Sequence, residues 1–279
     1  VVFDVSELAS GLHRNADGIW VGDHDDPVSF STIGHAGCFA LEDASFWFAH
    51  RNAVLLGALA RYPPPGVIID VGGGNGFVTQ ALVQAGHAAI LLEPGRDGVY
   101  NARLRGVETI IHATLSGAHF RRGALPAVGL FDVLEHVQDD RAWLCSLRSL
   151  LAHQGRVYLT VPALSWLWSE ADSSAGHHRR YSLQSVVAAL QACALVMEYA
   201  TYFFSFLVLP ILAGRTLGSR LRRHPPGLSL QERALREHLP QSRAVLTALA
   251  WLGRFECSTI RSGRALPLGS SCLVVATAR

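Results

Sequence analysis

Lysine is missing altogether: the 24 basic residues of this 279-residue chain are all Arg, and with 22 Asp and Glu they leave a net charge of +2. A skewed genome composition explains an Arg-only chain as readily as a ligand does, so the excess carries no functional weight. Charge is scarce at 16% of residues while hydrophobic residues reach 49%, which excludes general disorder and predicts a sizeable core. The small net charge, with no basic stripe interleaved with aromatics, argues against a nucleic-acid partner. Cysteine is sparse and scattered (Cys38, Cys145, Cys193, Cys257 and Cys272), with no C-x-x-C pair and an odd total. That pattern argues against a zinc–thiolate site or a disulfide framework and predicts reduced thiols in a cytoplasmic protein. Long apolar runs are missing too. The most apolar stretch, "YFFSFLVLPILAG" from Tyr202 to Gly214, contains Pro210 and falls short of the roughly 20 residues of a membrane span. The opening "VVFDVSELAS" has neither the basic segment nor the apolar segment of a secretion signal.

What is present has an order. Residues 1 to about 30 are polar and rich in Gly and Asp and read as an arm. Phe46, Val54, Leu55, Ala58 and Leu59 recur at helical spacing, and Pro63, Pro64 and Pro65 end that run. Strands and helices then alternate. "VIID" is a strand, "GFVTQALVQAG" a helix, "AAILLEP" a strand, "GVYNARLRG" a helix and "VETIIHA" a third strand. "AVGLFDV" is a fourth strand, "DDRAWLCSLRSLLAHQG" a helix running to Gly155, and "RVYLTVP" a fifth strand. Unbroken apolar strands in a β-α rhythm predict a parallel sheet covered on both faces. "LVMEYATYF" reads as a sixth strand and "SSCLVVATAR" as the last, with a helical insertion between them.

Chemistry concentrates in "VIIDVGGGNGFV", Val67 to Val78. Glycines between a strand and a helix allow a tight turn and let backbone N–H groups approach a ligand. The dinucleotide fingerprint is G-x-G-x-x-G, but Phe77 stands where its third glycine belongs, and the spacing here is D-x-G-x-G-x-G. Asp70, two residues before Gly72, suits the ammonium of an amino-acid ligand better than a pyrophosphate. Those features point to S-adenosylmethionine, which is cationic and carries no phosphate. Glu93, at the end of the second core strand, can accept hydrogen bonds from both hydroxyls of a ribose.

With these residues the chain resembles the class I S-adenosylmethionine-dependent methyltransferases. "GLFDVLEHVQDD" (129–140) looks like their fourth-strand motif, and "LTVPALSWLWSEADSSAGHHRRYS" and "EDASFWFAHRN" are similar to segments of a bacterial small-molecule branch. The resemblance implies an α/β, Rossmann-like, doubly wound sheet of seven strands, the last antiparallel, with a helical N-terminal segment and a helical insertion before the last strand. The implied division is 1–62 as arm and lid helices and 63–202 as the cofactor-binding core. Residues 203–265 follow as the insertion or substrate cap, and 266–279 as the last core strand. It also implies that Asp70, Gly72, Gly74 and Gly76 hold the methionine part of the cofactor and Glu93 its ribose. Thr114 and Leu115, where many members have an acid, border the adenine, and Phe131 and Asp132 close over the cofactor.

Methyl transfer needs alignment, and it needs a base only when the acceptor carries a proton. His136, His177 and His178 are the candidate bases. Asp132, Glu135 and His136 at i, i+3 and i+4, with His177, have the composition of a divalent-metal site and resemble the E-x-x-E-H sites of metal-dependent RNA 2′-O-methyltransferases. No metal is assigned on that pattern alone. The apolar stretch from Tyr202 and the following Arg215, Arg220, Arg222 and Arg223 fit either a core helix or, across 202–223, a surface that meets a membrane or a lipid-like substrate. The function expected is methyl transfer to a small, apolar acceptor, with oxygen favoured. The competing readings are a non-catalytic cofactor-binding subunit and a nicotinamide-dependent oxidoreductase, the last opposed by the glycine spacing.

Overall fold

The computed structural model describes residues 4–23, 39, 41–212 and 242–279. Its strands are β1 (His13–Arg14), β2 (Trp20–Val21), β3 (Ile68–Val71), β4 (Ala89–Leu92) and β5 (Ile110–His112), then β6 (Leu125–Phe131), β7 (Leu151–Pro162), β8 (Leu195–Phe203) and β9 (Ser271–Ala278). The α-helices with defined bounds are α1 (Phe46–Arg61), α2 (Phe77–Gln84), α3 (Arg96–Leu104), α4 (Asp140–Leu150), α5 (Glu170–Ser174), α6 (Leu183–Ala192) and α7 (Arg243–Arg261). All strands join one sheet in the order β1-β2-β5-β4-β3-β6-β7-β9-β8. β3 pairs in parallel with β4 on one side and β6 on the other, and β9 runs antiparallel between β7 and β8. From β3 the chain winds outward through β4 and β5, then returns to β6, so the strand order reverses beside β3. Open α/β sheets bind ligands at the carboxyl ends of the strands flanking such a reversal.

Strand periodicity sorts the core into two layers. Ile69 and Val71 of β3 face one side, where Leu144 and Leu147 of α4 and Val186 and Leu190 of α6 cover them. Ile68 faces the other side, with Leu55 and Leu59 of α1, Leu82 of α2 and Ile260 of α7. Asp70 shares the parity of Ile68. It is thereby buried toward α2 rather than exposed at a strand end.

Three sequence expectations need correction. The sheet has nine strands rather than seven, because the stretch read as an arm contributes β1 and β2. Trp20 and Val21 pair in parallel with Ile111 and His112, in strands too short to show alternation. The helix expected to reach Gly155 stops at Leu150, since Leu151 already pairs with Leu125 and Gln154 takes a left-handed φ of 60°. The thiols are not all reduced. Cys145 on α4 and Cys193 just after α6 form a disulfide, as the two helices pack on one face and bring residues 48 apart in sequence together. Cys257 and Cys272 are free, and burial pushes their thiols up to about 11 and about 12. Cys38 and the four arginines at 215, 220, 222 and 223 lie outside the described residues. Within the apolar stretch, Phe203, Phe204 and Val208 are buried, whereas Leu209 is 74% exposed, so its first half is core. Among the described residues no helix is long and apolar enough to cross a membrane.

Candidate active site

A cavity of about 440 Å³ opens at the carboxyl ends of β3, β4 and β6. At its base Asp70 accepts: its Oδ2 takes the Thr79 hydroxyl at 2.6 Å, while its buried Oδ1 has no hydrogen-bond partner among the described residues. Burial pushes the Asp70 carboxyl up to about 6. Glu93 takes the Gly74 N–H on Oε2 at 2.8 Å and the Gly95 N–H on Oε1 at 2.6 Å, which fixes the glycine loop against the turn after β4. Burial raises its carboxyl to about 7, outweighing those two bonds.

The glycines of the loop do different work. A Cβ on Gly73 would stand 2.3 Å from Leu91 Cδ1 and 2.7 Å from Asp70 Oδ2, so the backbone passes directly over the carboxylate. Gly76 starts α2 with a φ of 75°, and a Cβ there would meet Ala102 of α3 at 2.8 Å. It serves close packing of α2 on α3, although no third dinucleotide glycine is present.

The roof comes from α1. Arg51 Nη1 donates to Asp132 Oδ2 at 2.8 Å, and the guanidinium lies 5.2 Å from the Trp47 ring centroid and 5.3 Å from that of Phe48. Asp132 follows β6 with φ at 60° and also accepts the Thr160 hydroxyl at 3.1 Å. At the far end Glu42 accepts from Arg105 Nη2 at 2.7 Å and from Asn75 Nδ2 at 3.3 Å. On the opposite wall the short turn Leu134–His136 presents Glu135 and His136, and the loop after α5 presents His177. Burial, then the neighbouring His177, pushes His136 down to about 4.

Of the residues singled out from sequence, Asp70, Gly72, Gly74, Glu93, Phe131, Asp132, His136 and His177 line this cavity. Gly76, Thr114, Leu115 and His178 do not. The Thr114 hydroxyl accepts the Gly117 N–H at 3.0 Å in a turn, and Leu115 packs against the core. His178 is exposed, and its backbone N–H donates to the Glu135 carbonyl at 2.8 Å. Arg51, Trp47 and Glu42 escaped attention as lining residues, since nothing in a helix's periodicity says which polar positions cover a distant cavity.

The profile of a methyltransferase-domain family matches residues 47–197, more than half of the chain. The chain belongs to this methyltransferase family. It is an S-adenosylmethionine-dependent enzyme of that family, and the cavity lies within the matched segment apart from Glu42 and Ser271. No curated protein sequence matches the chain. Solved structures similar to this methyltransferase include an S-adenosylmethionine-dependent methyltransferase from Thermotoga maritima, at 14% identity and a TM-score of 0.54, covering 88% of this chain and 99% of that one. A second is phosphoethanolamine N-methyltransferase 2 of Haemonchus contortus with S-adenosylmethionine bound, at 16% identity and 0.53, covering 87% and 57%. A third is the geranyl diphosphate C-methyltransferase of Streptomyces coelicolor, at 14% identity and 0.52, covering 83% and 76%. At these identities the likeness is one of fold.

The methyltransferase's own residues fit the cofactor. A buried carboxylate oxygen at Asp70 without a partner among the described residues, and a second buried acid at Glu93, call for a ligand that brings positive charge and hydroxyl donors. S-adenosylmethionine has both.

Proposed function

We propose that this enzyme methylates an oxygen of a small, largely apolar acceptor. The observation that carries the reading is the division of one cavity into an acidic floor at Asp70 and Glu93 and a separate wall of Glu135, His136 and His177. In this reading Asp70 and the backbone of Gly72 to Gly74 hold the amino-acid end of the cofactor, and Glu93 holds the ribose. Thr114 and Leu115, although off the cavity lining, border the adenine in the same reading, and Phe131 and Asp132 close over the cofactor from the end of β6. When bound, the cofactor would supply a methyl on a sulfonium, a group already activated for transfer because its sulfur would leave as a neutral thioether. Trp47, Phe48, Val78 and Val133 give the remaining lining its apolar character, which suits a greasy acceptor and keeps water away from the reacting carbon. The wall at Glu135, His136 and His177 offers lone pairs to an acceptor hydroxyl and a destination for its proton.

In this proposal 1–62, apart from the sheet strands β1 and β2, acts as lid, and 203–265, apart from its buried start at Phe203 and Phe204, as the substrate cap, which Arg51 reaching Asp132 and α7 packed on α1 support. A cytoplasmic location goes with it, because the methyl donor is a cytoplasmic metabolite.

Calorimetry with S-adenosylmethionine and with NAD, followed by transfer of labelled methyl to matched alcohols, phenols and amines, tests the reading. Binding of the first cofactor alone and label on hydroxylated acceptors are expected. Label appearing on amines or carbon and never on oxygen would overturn the assignment of the acceptor atom.

A further inference from the structure

Glu135 sets a problem that cofactor binding leaves unsolved. Its side chain is 1% exposed, and neither carboxylate oxygen has a hydrogen-bond partner among the described residues. An acid stripped of water and left unpaired is costly, so a partner outside the described residues is implied. Two imidazoles share its space. His177 Nε2 stands 4.0 Å from Glu135 Oε1, and the His136 and His177 rings meet edge to face with centroids 4.8 Å apart. One ligand-capable atom from each of Glu135, His136 and His177 lies within 4.8 Å of the other two.

The surroundings fix how His177 is presented. Its Nδ1 faces Asp172 Oδ1 at 3.1 Å, and Asp172 is held in turn by Arg180 Nε at 2.8 Å and by the Ser169 N–H at 2.8 Å. An acceptor so placed assigns the proton to Nδ1 and turns the Nε2 lone pair toward Glu135. A carboxylate behind a histidine is the arrangement that orients imidazole ligands to metals. The two chain segments are also clamped together, by the His178 N–H on the Glu135 carbonyl and by the Tyr181 hydroxyl, which donates to Asp140 Oδ2 at 2.7 Å.

We propose that Glu135, His136 and His177 bind one divalent transition-metal ion, with Asp172 as the positioning residue behind His177. One carboxylate and two imidazoles suit borderline ions such as Zn²⁺, Mn²⁺ or Co²⁺, whereas Mg²⁺ and Ca²⁺ prefer oxygen alone. Three protein ligands leave a coordination position on the cavity side, where an acceptor oxygen arrives. The proposal rests on the acceptor-site reading of this wall. An ion about 2.1 Å from each donor draws the cluster tighter than its present spread of 4.8 Å. With the ion in place, the three side chains act as ligands instead of as the proton's destination, and the acceptor hydroxyl loses its proton to solvent water.

The test is metal binding by the untagged full chain after treatment with EDTA. Dialysis against Zn²⁺ followed by elemental analysis, and titration with Co²⁺ followed by visible absorption, should each give one ion per chain. Glu135→Gln and His177→Ala should each weaken Co²⁺ binding at least 30-fold, with folding checked by circular dichroism. His178→Ala, which removes an exposed ring that is not one of the three ligands, should keep it. No stoichiometric binding by the wild type, or binding that survives in both cluster variants, overturns the site. Calorimetry of the EDTA-treated wild type with S-adenosylmethionine separates the two proposals. Cofactor binding without metal binding removes the ion alone, and metal binding without cofactor binding removes the cofactor cradle alone.

Discussion

Arg51 on α1 donates to Asp132 at the end of β6 across 2.8 Å, with their side chains 10% and 20% exposed. The pair joins a helix that precedes the core to the strand end beside the reversal of the sheet, and it holds Asp132 in a left-handed conformation that few non-glycine residues adopt. Replacing Arg51 by Met strands a half-buried carboxylate. A loss of about 2 kcal/mol is expected, between the values for surface and fully buried pairs. Urea unfolding of Arg51→Met, Asp132→Asn and the double variant measures the coupling. Strictly additive losses would show that the two side chains do not act as a pair.

The glycine loop yields a contrast between two neighbours. Gly73→Ala forces a methyl group into Leu91 and the Asp70 carboxylate, so cofactor affinity should fall by more than tenfold. Gly76→Ala presses on Ala102 from a positive φ, so it should lower stability by about 1–3 kcal/mol, with a smaller effect on affinity once the fold is intact. Calorimetry and thermal melting on both variants check the division, and the reverse ranking would refute it.

Acidity at the cavity floor makes binding depend on pH. Asp70 rises from 3.8 to about 6 and Glu93 from 4.5 to about 7, both chiefly through burial. The folded, unliganded chain therefore keeps protons that the unfolded chain has lost. Each group favours the fold by up to about 3 kcal/mol below its unfolded value, an advantage lost as pH rises through about 6 to 7. A cationic cofactor reverses the preference and expels the protons. Its affinity should accordingly climb between pH 5 and pH 7, with proton release visible as a buffer-dependent heat. A flat profile, or proton uptake, would contradict the placement of its charge beside Asp70.

Sequence and structure agree where the physics is local and diverge where it is not. "VIID", "AILL" and "SSCLVVATAR" announce buried strands because both faces of each are covered, and Gly72 to Gly76 announce a strand-to-helix turn. Trp20 and Val21 give no such signal, since two residues cannot show a period, and their pairing with Ile111 and His112 is decided by a strand about ninety positions away. Glu135 and His136 stood out as a pair, but the isolation of the Glu135 carboxylate depends on β7, α5 and the loop at His177. Arg51 was legible as a helix residue and illegible as the partner of Asp132.

The disulfide between Cys145 and Cys193 is the feature most at odds with a thiol-poor chain. Closing a segment of 48 residues restricts the unfolded chain by up to about 4 kcal/mol. Cys145→Ser should lower the stability of oxidised protein by an amount of that order and should change nothing once the wild type is reduced. Thiol titration under denaturing conditions should find two more reactive cysteines after reduction than before it. Five at the outset would mean that the bond does not form.

Glu256 on α7 gathers four hydrogen bonds. Its Oε2 takes His50 Nε2 at 2.6 Å and the Phe204 N–H at 2.8 Å, and its Oε1 takes the Ser205 N–H at 2.9 Å and hydroxyl at 2.6 Å. Burial would raise its carboxyl, but bonds from His50 and Ser205 outweigh it and hold it below the usual range. One side chain thus ties α7 to α1 and to the end of β8, next to the stacked rings of Trp47 and Phe204. Glu256→Ala leaves buried donors without an acceptor and should cost about 3–5 kcal/mol. Glu256→Gln keeps the shape and two acceptor lone pairs and should cost less than half as much. Hydrogen exchange should then show the largest gain in α7, because its remaining contacts with α1 are mostly apolar and lack direction. Faster exchange spread evenly over the sheet would mean instead that Glu256 supports the core as a whole.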